Sequence, residues 1–186
     1  LGGGFYVPYN LNGVPQFDLN AYGQAFREEL GDLDCEFIIE PGRYLVAESG
    51  LLLTKVLYIK HTTAKTFVIV DAGMNDMMRT ALYDIEHPLV LCSALNNQDC
   101  MVVDVVGPVC ESSDSFATQI LLPKQLKADD ILAITHTGAY GASLSSTYNS
   151  RPLIPEVMID KDGVFLIRES ITPEILSSFE VYKRLV

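Results

Sequence analysis

From residue 50 onward the chain reads as one strand after another, and this limits most sharply what it can fold into. Runs rich in leucine and β-branched residues occupy 51–59, 66–70, 89–93, 101–106, 131–135, 157–159 and 164–167. Turn-forming residues separate them, and Asp160-Lys161-Asp162-Gly163 has the composition of a hairpin. The spacing predicts an all-β block over 52–168, with a change of style near Ser49.

Other elements flank the block. Leu19, Tyr22, Phe26 and Leu30 recur at helical spacing between Asp18, a good N-cap, and Gly31, a good terminator, which predicts a packing helix over 18–30. Residues 6–15 read as loop, and Cys35 to Ile39 as a short apolar strand. Residues 77–83 follow Asp71-Ala72-Gly73-Met74-Asn75-Asp76; as a helix they would set Arg79 and Tyr83 at i and i+4 on one face. Thr172 and Pro173 open a final helix whose pattern continues through Leu176, Phe179 and Tyr182 or Lys183.

Composition narrows the function. With 186 residues, 48% of them hydrophobic, the chain can bury a core and form one to two domains. A net charge of −11 argues against binding a phosphate backbone, which needs clustered Lys and Arg. No apolar run approaches the about 18 residues of a membrane span. The first residues are Gly-rich rather than basic and then apolar, unlike a signal peptide. Cys35, Cys92, Cys100 and Cys110 form no Cys-x-x-Cys pair, and His61, His87 and His136 show no zinc spacing. A reduced, cytoplasmic protein without a metal is the simplest reading; a Cys92–Cys100 disulfide is allowed but not favoured. The chain begins at Leu1 with a glycine triplet that normally follows a strand, so an amino-terminal truncation is expected.

Four stretches carry unusual chemistry. Gly2-Gly3-Gly4 would let backbone N–H groups approach an anion, or is a flexible end. In Glu40-Pro41-Gly42-Arg43 the carboxylate suits a protonated ring nitrogen and the guanidinium a phosphate or carboxylate, or the two form a surface ion pair. Cys110 and Glu111 follow Gly107-Pro108, which must turn the chain after the run 101–106. They belong at the mouth of a sheet, where reactive groups are displayed, although a packed thiol beside a solvated acid fits the same letters. Gly138-Ala139-Tyr140-Gly141 clears space beside a tyrosine for something flat. Arg79 and Tyr83 would hold a carboxylate together, or simply stack on each other.

The four motifs, in this order, resemble the fold-type III pyridoxal-phosphate decarboxylases, and among them the branch acting on diaminopimelate. The stretches 71–76, 107–112 and Tyr148-Asn149-Ser150-Arg151-Pro152 match most closely, and the resemblance runs over nearly the whole chain. It implies an α/β plus all-β architecture: residues 1–49 as the last part of a (β/α)8 barrel that binds pyridoxal 5'-phosphate, and 50–186 as a carboxy-terminal β-barrel or β-sandwich domain with a final helix. It implies that Gly3, Gly4 and Gly42 lie by the cofactor phosphate, that Glu40 pairs with the ring nitrogen, and that Arg43 and Tyr140 lie near phosphate and substrate. Arg79 and Tyr83 would grip the distal end of the substrate, Glu111 would face its ammonium group, and Cys110 would be the catalytic acid. It also implies a homodimer in which Cys110 and Glu111 complete the partner's active site.

The implied reaction is decarboxylation of meso-2,6-diaminopimelate to L-lysine. One departure stands out: the family's Schiff-base lysine would lie upstream of the glycine triplet, and no lysine here matches its context. This polypeptide alone is therefore expected not to decarboxylate. Arginine, ornithine or carboxynorspermidine decarboxylation is the rival within the class, and a non-catalytic homologue the rival outside it. Glu111 and the Arg79–Tyr83 pair favour the diamino diacid.

Overall fold

The computed structural model describes residues 2–9, 17–93 and 99–184. Most of the loop expected over 6–15 lies outside them. A helix, α1 (Leu19–Leu30), follows Asp18, whose carboxylate accepts from the N–H groups of Asn20 and Ala21 at 2.9 Å each. This satisfies two of the orphan donors that every helix start exposes. Phe5 lies buried among the rings of Phe17, Tyr22 and Tyr44 at centroid distances of 5.2, 5.0 and 6.1 Å, which pins the segment after the glycines to α1.

The strand expected over 35–39 does not form. Phe37, Ile38 and Ile39 are exposed, and an apolar run becomes a strand only where a ladder runs beside it. Glu40 and Pro41 then lead into the short helix α2 (Gly42–Val46) and a 3₁₀ turn at Ala47–Ser49.

The sheet follows. Its strands are β1 (Leu52–His61), β2 (Thr66–Val70), β3 (Leu89–Leu91), β4 (Cys100–Val106), β5 (Ser115–Pro123) and β6 (Ile131–Ile134), ordered β3-β6-β1-β2-β4-β5. β1 pairs with β6 over Leu52–Lys55 and with β2 from Val56 onward, so it belongs to both halves of the sheet. The sheet is mixed: β2 and β4 run parallel and the other pairs antiparallel. Alternation places Leu52, Thr54 and Val56 inside along β1. They join Val68, Val70, Met77, Val103, Val105, Phe116, Leu132 and Ile134 in the main core. β5 is an element the β-branched runs did not reveal.

A separate hairpin, β7 (Glu156–Asp160) and β8 (Gly163–Arg168), turns at the expected residues, with Asp160 accepting from Asp162 and Gly163 N–H. The last helix, α4 (Pro173–Ser177), starts at the Thr172 cap as expected but stops after five residues, short of the pattern through Phe179. No helix among the described residues is long and apolar enough to cross a membrane.

The topology decides where chemistry can collect. β2, β4 and β6 share one direction, as the registers Ile69↔Val106, Val56↔Val70 and Leu52↔Ile134 show. Their carboxy ends therefore lie along one rim, and the start of β3 joins them through Leu89↔Ile134. The segments 71–87, 107–114 and 135–151 all leave from or arrive at that rim.

Candidate functional site

The rim is built on a clasp of buried polar groups. After β4 the chain turns at Gly107-Pro108 and returns through Asp114, which is buried. One Asp114 oxygen accepts from Val109 N–H and the other from Met74 N–H, each at 2.6 Å, so one carboxylate ties two loops together. Gly107 is required here: a Cβ at that position would collide with this carboxylate. Burial raises the Asp114 carboxyl above the ordinary carboxylate range, and the two N–H groups pull it back.

Arg151 closes the clasp. Its Nε donates to Asn75 Oδ1 at 2.8 Å and its Nη2 to the Asp71 carbonyl at 2.6 Å, while Asp76 Oδ2 lies 3.6 Å away. Asp76 also accepts from Gly73 N–H at 2.8 Å and from Asn75 at 3.0 Å. Burial raises its pKa, opposed by Gly73, Arg151 and Asn75. Asn75 and Ser146 are joined as well, the Ser146 N–H donating to the Asn75 carbonyl at 2.9 Å. Thus three segments far apart in sequence are locked at their backbones.

On this frame Cys110 and Glu111 stand exposed in the turn between β4 and β5, at the mouth of the sheet. Among the described residues Glu111 Oε1 accepts locally, from Ser112 N–H at 2.8 Å and Ser112 Oγ at 3.2 Å. All four cysteines are free thiols.

The second part of the rim centres on Arg79, at the start of α3 (Arg79–Tyr83). The residue is 3% exposed. Nη1 donates to the Tyr9 hydroxyl at 2.6 Å and to His87 Nε2 at 3.2 Å. The guanidinium carbon lies 4.8 Å from the Tyr9 ring centroid and 5.4 Å from that of Tyr140. Among the described residues no carboxylate forms an ion pair with it. The structure thus brings Arg79 and Tyr140 together. Tyr83 is 60% exposed at the other end of α3, so the two do not share one environment as the i, i+4 spacing suggested.

His87 is buried and donates from Nδ1 to the Thr135 carbonyl at 2.9 Å. This fixes the tautomer whose Nε2 is free to accept. Burial drives its pKa down to about 4; the Thr135 bond opposes this, while the charges of Arg79 and His136 add to it. The Tyr9 ring packs against the same imidazole in a tilted contact, with centroids 4.7 Å apart.

Tyr140 has φ 62° and is about half exposed, held in a turn whose Thr137 and Gly138 N–H groups donate to the carbonyls of Gly50 and Ala47 at 3.0 and 3.1 Å. That turn therefore rests on the segment following α2, which carries Arg43. Arg43 Nη2 donates to the Phe5 carbonyl at 3.3 Å, and its Nε is buried with no partner among the described residues. Gly3 packs against the Glu40 carbonyl so closely that a Cβ could not fit, and Gly4 has φ +87°. Gly3, Gly4, Glu40, Gly42 and Arg43 therefore form a second neighbourhood at the edge of the first. Tyr9, Asn75, Asp76, His87, Asp114 and Arg151 carry no site role in the sequence reading. Asn75, Asp76 and Arg151 lie in the stretches quoted there, but their partners are set by the fold.

The chain is similar to known proteins over most of its length. A diaminopimelate decarboxylase of Helicobacter pylori strain J99 is 43% identical over 182 residues, which is 97% of this chain and 44% of that protein. The chain thus spans less than half the length of the curated relatives it matches. The crystal structure of diaminopimelate decarboxylase from M. jannaschii in co-complex with L-lysine superposes with a TM-score of 0.87 at 39% identity, covering 98% of this chain and 42% of that one. Lysine/ornithine decarboxylase of Vibrio vulnificus, complexed with cadaverine, gives 0.67 at 25% identity over 80% of this chain and 40% of that one. Residues 18–138 match the model of the C-terminal sheet domain of pyridoxal-dependent decarboxylases, and the chain belongs to that family.

Proposed function

We propose that this chain is the carboxy-terminal part of a pyridoxal 5'-phosphate-dependent enzyme that decarboxylates meso-2,6-diaminopimelate to L-lysine. The observation that carries the reading is the buried Arg79 guanidinium, which among the described residues has only neutral partners. A buried cation without a counter-charge is costly, and an anionic ligand group removes that cost. The distal carboxylate of a diamino diacid is such a group, and ornithine has none. The relatives named diaminopimelate decarboxylase, at roughly 40% identity against 25% for the lysine/ornithine enzyme, support the same choice.

The residues present suit the cofactor. Gly3 brings its backbone against the Glu40 carbonyl, Gly4 has open space at its Cα, and Arg43 keeps a buried donor without a partner among the described residues. In the proposal Gly3, Gly4, Gly42 and Arg43 hold the phosphate, Glu40 accepts from the ring nitrogen, and Tyr140 lines both phosphate and substrate. The bound cofactor supplies an electron sink for the pair left at Cα when carbon dioxide departs. Arg79 binds the distal carboxylate, with Tyr83 at its outer edge, and Glu111 faces the distal ammonium group. The Cys110 thiol gives its proton to Cα and becomes a thiolate.

Cys110 and Glu111 are exposed and, among the described residues, make no bond to the Arg79 cluster. This favours their serving the site of a second subunit in a homodimer. The test is carbon dioxide release by the longer polypeptide loaded with pyridoxal 5'-phosphate, on meso-diaminopimelate, ornithine and arginine in parallel. Preference for the diacid supports the reading, and preference for ornithine overturns it.

A further inference from the structure

Arg79 is buried, so its value to a ligand depends on where its remaining N–H groups point. We propose that His87 is a positioning residue for Arg79: its Nε2 accepts from Nη1 and turns the rest of the guanidinium toward the ligand. The inference rests on the assignment of Arg79 to the distal carboxylate and goes one residue further.

The geometry is specific. The imidazole is buried and anchored from behind by the Thr135 carbonyl at 2.9 Å, at the carboxy end of β6. Its other nitrogen meets Nη1 at 3.2 Å. Tyr9 accepts from the same Nη1 at 2.6 Å and packs against the same imidazole, so both acceptors hold one terminal nitrogen. A guanidinium is a planar fork with five donors, so fixing one nitrogen orients the whole group. Both acceptors are neutral. A carboxylate in place of His87 would hold Arg79 as firmly but cancel the charge a substrate needs. A neutral acceptor orients the cation and leaves its charge for the ligand.

The test uses two variants of opposite expectation in the cofactor-loaded full-length protein. His87→Asn keeps a donor for the Thr135 carbonyl but reaches too short for Nη1, whereas His87→Gln extends an acceptor to it. Dissociation constants for meso-diaminopimelate and cadaverine are measured, because both carry the distal amino group and only the first has a distal carboxylate. His87→Asn is expected to weaken the diacid by about tenfold or more, the size of one lost hydrogen bond to a charged group, and cadaverine by less than about threefold. His87→Gln should hold the diacid within about threefold of the parent. Equal losses for both ligands, or none for the diacid, would overturn the inference.

Arg79→Met run alongside separates the two levels. If it spares the diacid, the assignment of Arg79 fails; if it does not and His87→Asn does, only the role of His87 fails. A variant-independent check is the ¹⁵N spectrum of selectively labelled wild-type histidine near neutral pH. The proposal requires a protonated Nδ1 and a bare Nε2 at His87, and the opposite tautomer sinks it even if a variant does not fold.

Discussion

Two arginines lie on the same rim with opposite surroundings. Arg151 meets a carboxylate, an amide oxygen and a carbonyl, and it holds the loops 71–76 and 146–151 in place. Arg79 is more deeply buried yet, among the described residues, meets a phenol, an imidazole and two ring faces and no carboxylate. The first is a saturated cation, whose charge is consumed within the fold. The second keeps its charge available. Burial alone does not separate a structural arginine from a binding one; the charge of its partners does.

The widest separation between frame and site should come from Cys110→Ala. The thiol is displayed by the clasp but is not part of it. Turnover should fall by about 10²–10⁴-fold, the usual contribution of a positioned proton donor, with little change in substrate affinity. Pre-steady-state kinetics would check this, and unchanged turnover would mean that the proton comes from elsewhere.

Next in size, Arg79→Met should lower kcat/KM for the diacid by about 100-fold, near 3 kcal/mol, while costing less folding stability than its counterpart at position 151. Arg151→Met should do the reverse, lowering stability by about 3 kcal/mol in urea unfolding because Asp76 is left buried without its cation. If the two substitutions proved interchangeable in both measurements, the contrast would be wrong.

The smallest effect is in pH. The folded pKa of His87, about 4, is below the ordinary 6.5, so the unfolded chain binds the extra proton between those values. Its contribution to stability is complete above pH 6.5 and is lost as pH falls toward 4. Between pH 7 and pH 5 the loss is about 2 kcal/mol. The raised carboxyls of Asp76 and Asp114 act with the opposite sign, so the difference between wild type and His87→Gln isolates the histidine. Parallel pH profiles for the two would contradict the neutral, buried imidazole.

Much of the frame was legible from the letters. β-branched runs marked β1, β2, β4 and β6, the hairpin turn and both cap residues were read correctly, and Gly107-Pro108 announced the turn that exposes Cys110. β5 was not, because its Ser-Phe-Ala-Thr-Gln stretch mixes small polar residues with apolar ones. Its alternation also breaks at the irregularity beside Gln119, where φ is 54°. The final helix was overextended, since a helical pattern of apolar residues continues past the point where Phe179 has nothing to pack against and stays exposed.

The site was legible by residue type but not by partnership. Arg79 and Tyr140 stood out separately, yet their meeting depends on β2 and β6 delivering loops to one rim. His87 looked like a lone histidine, and its meaning comes from a carbonyl 48 residues away. Asp114 was one more acid beside Ser113 until its two oxygens were seen to hold backbone from separate loops.

The most direct test of the central claim is a crystal structure of the cofactor-loaded full-length protein with meso-diaminopimelate or a close diacid analogue. The account predicts the distal carboxylate within hydrogen-bond distance, about 2.7–3.0 Å, of the Arg79 guanidinium, with His87 and Tyr9 still on Nη1. A distal carboxylate bound elsewhere, with no ligand group on Arg79, would contradict it.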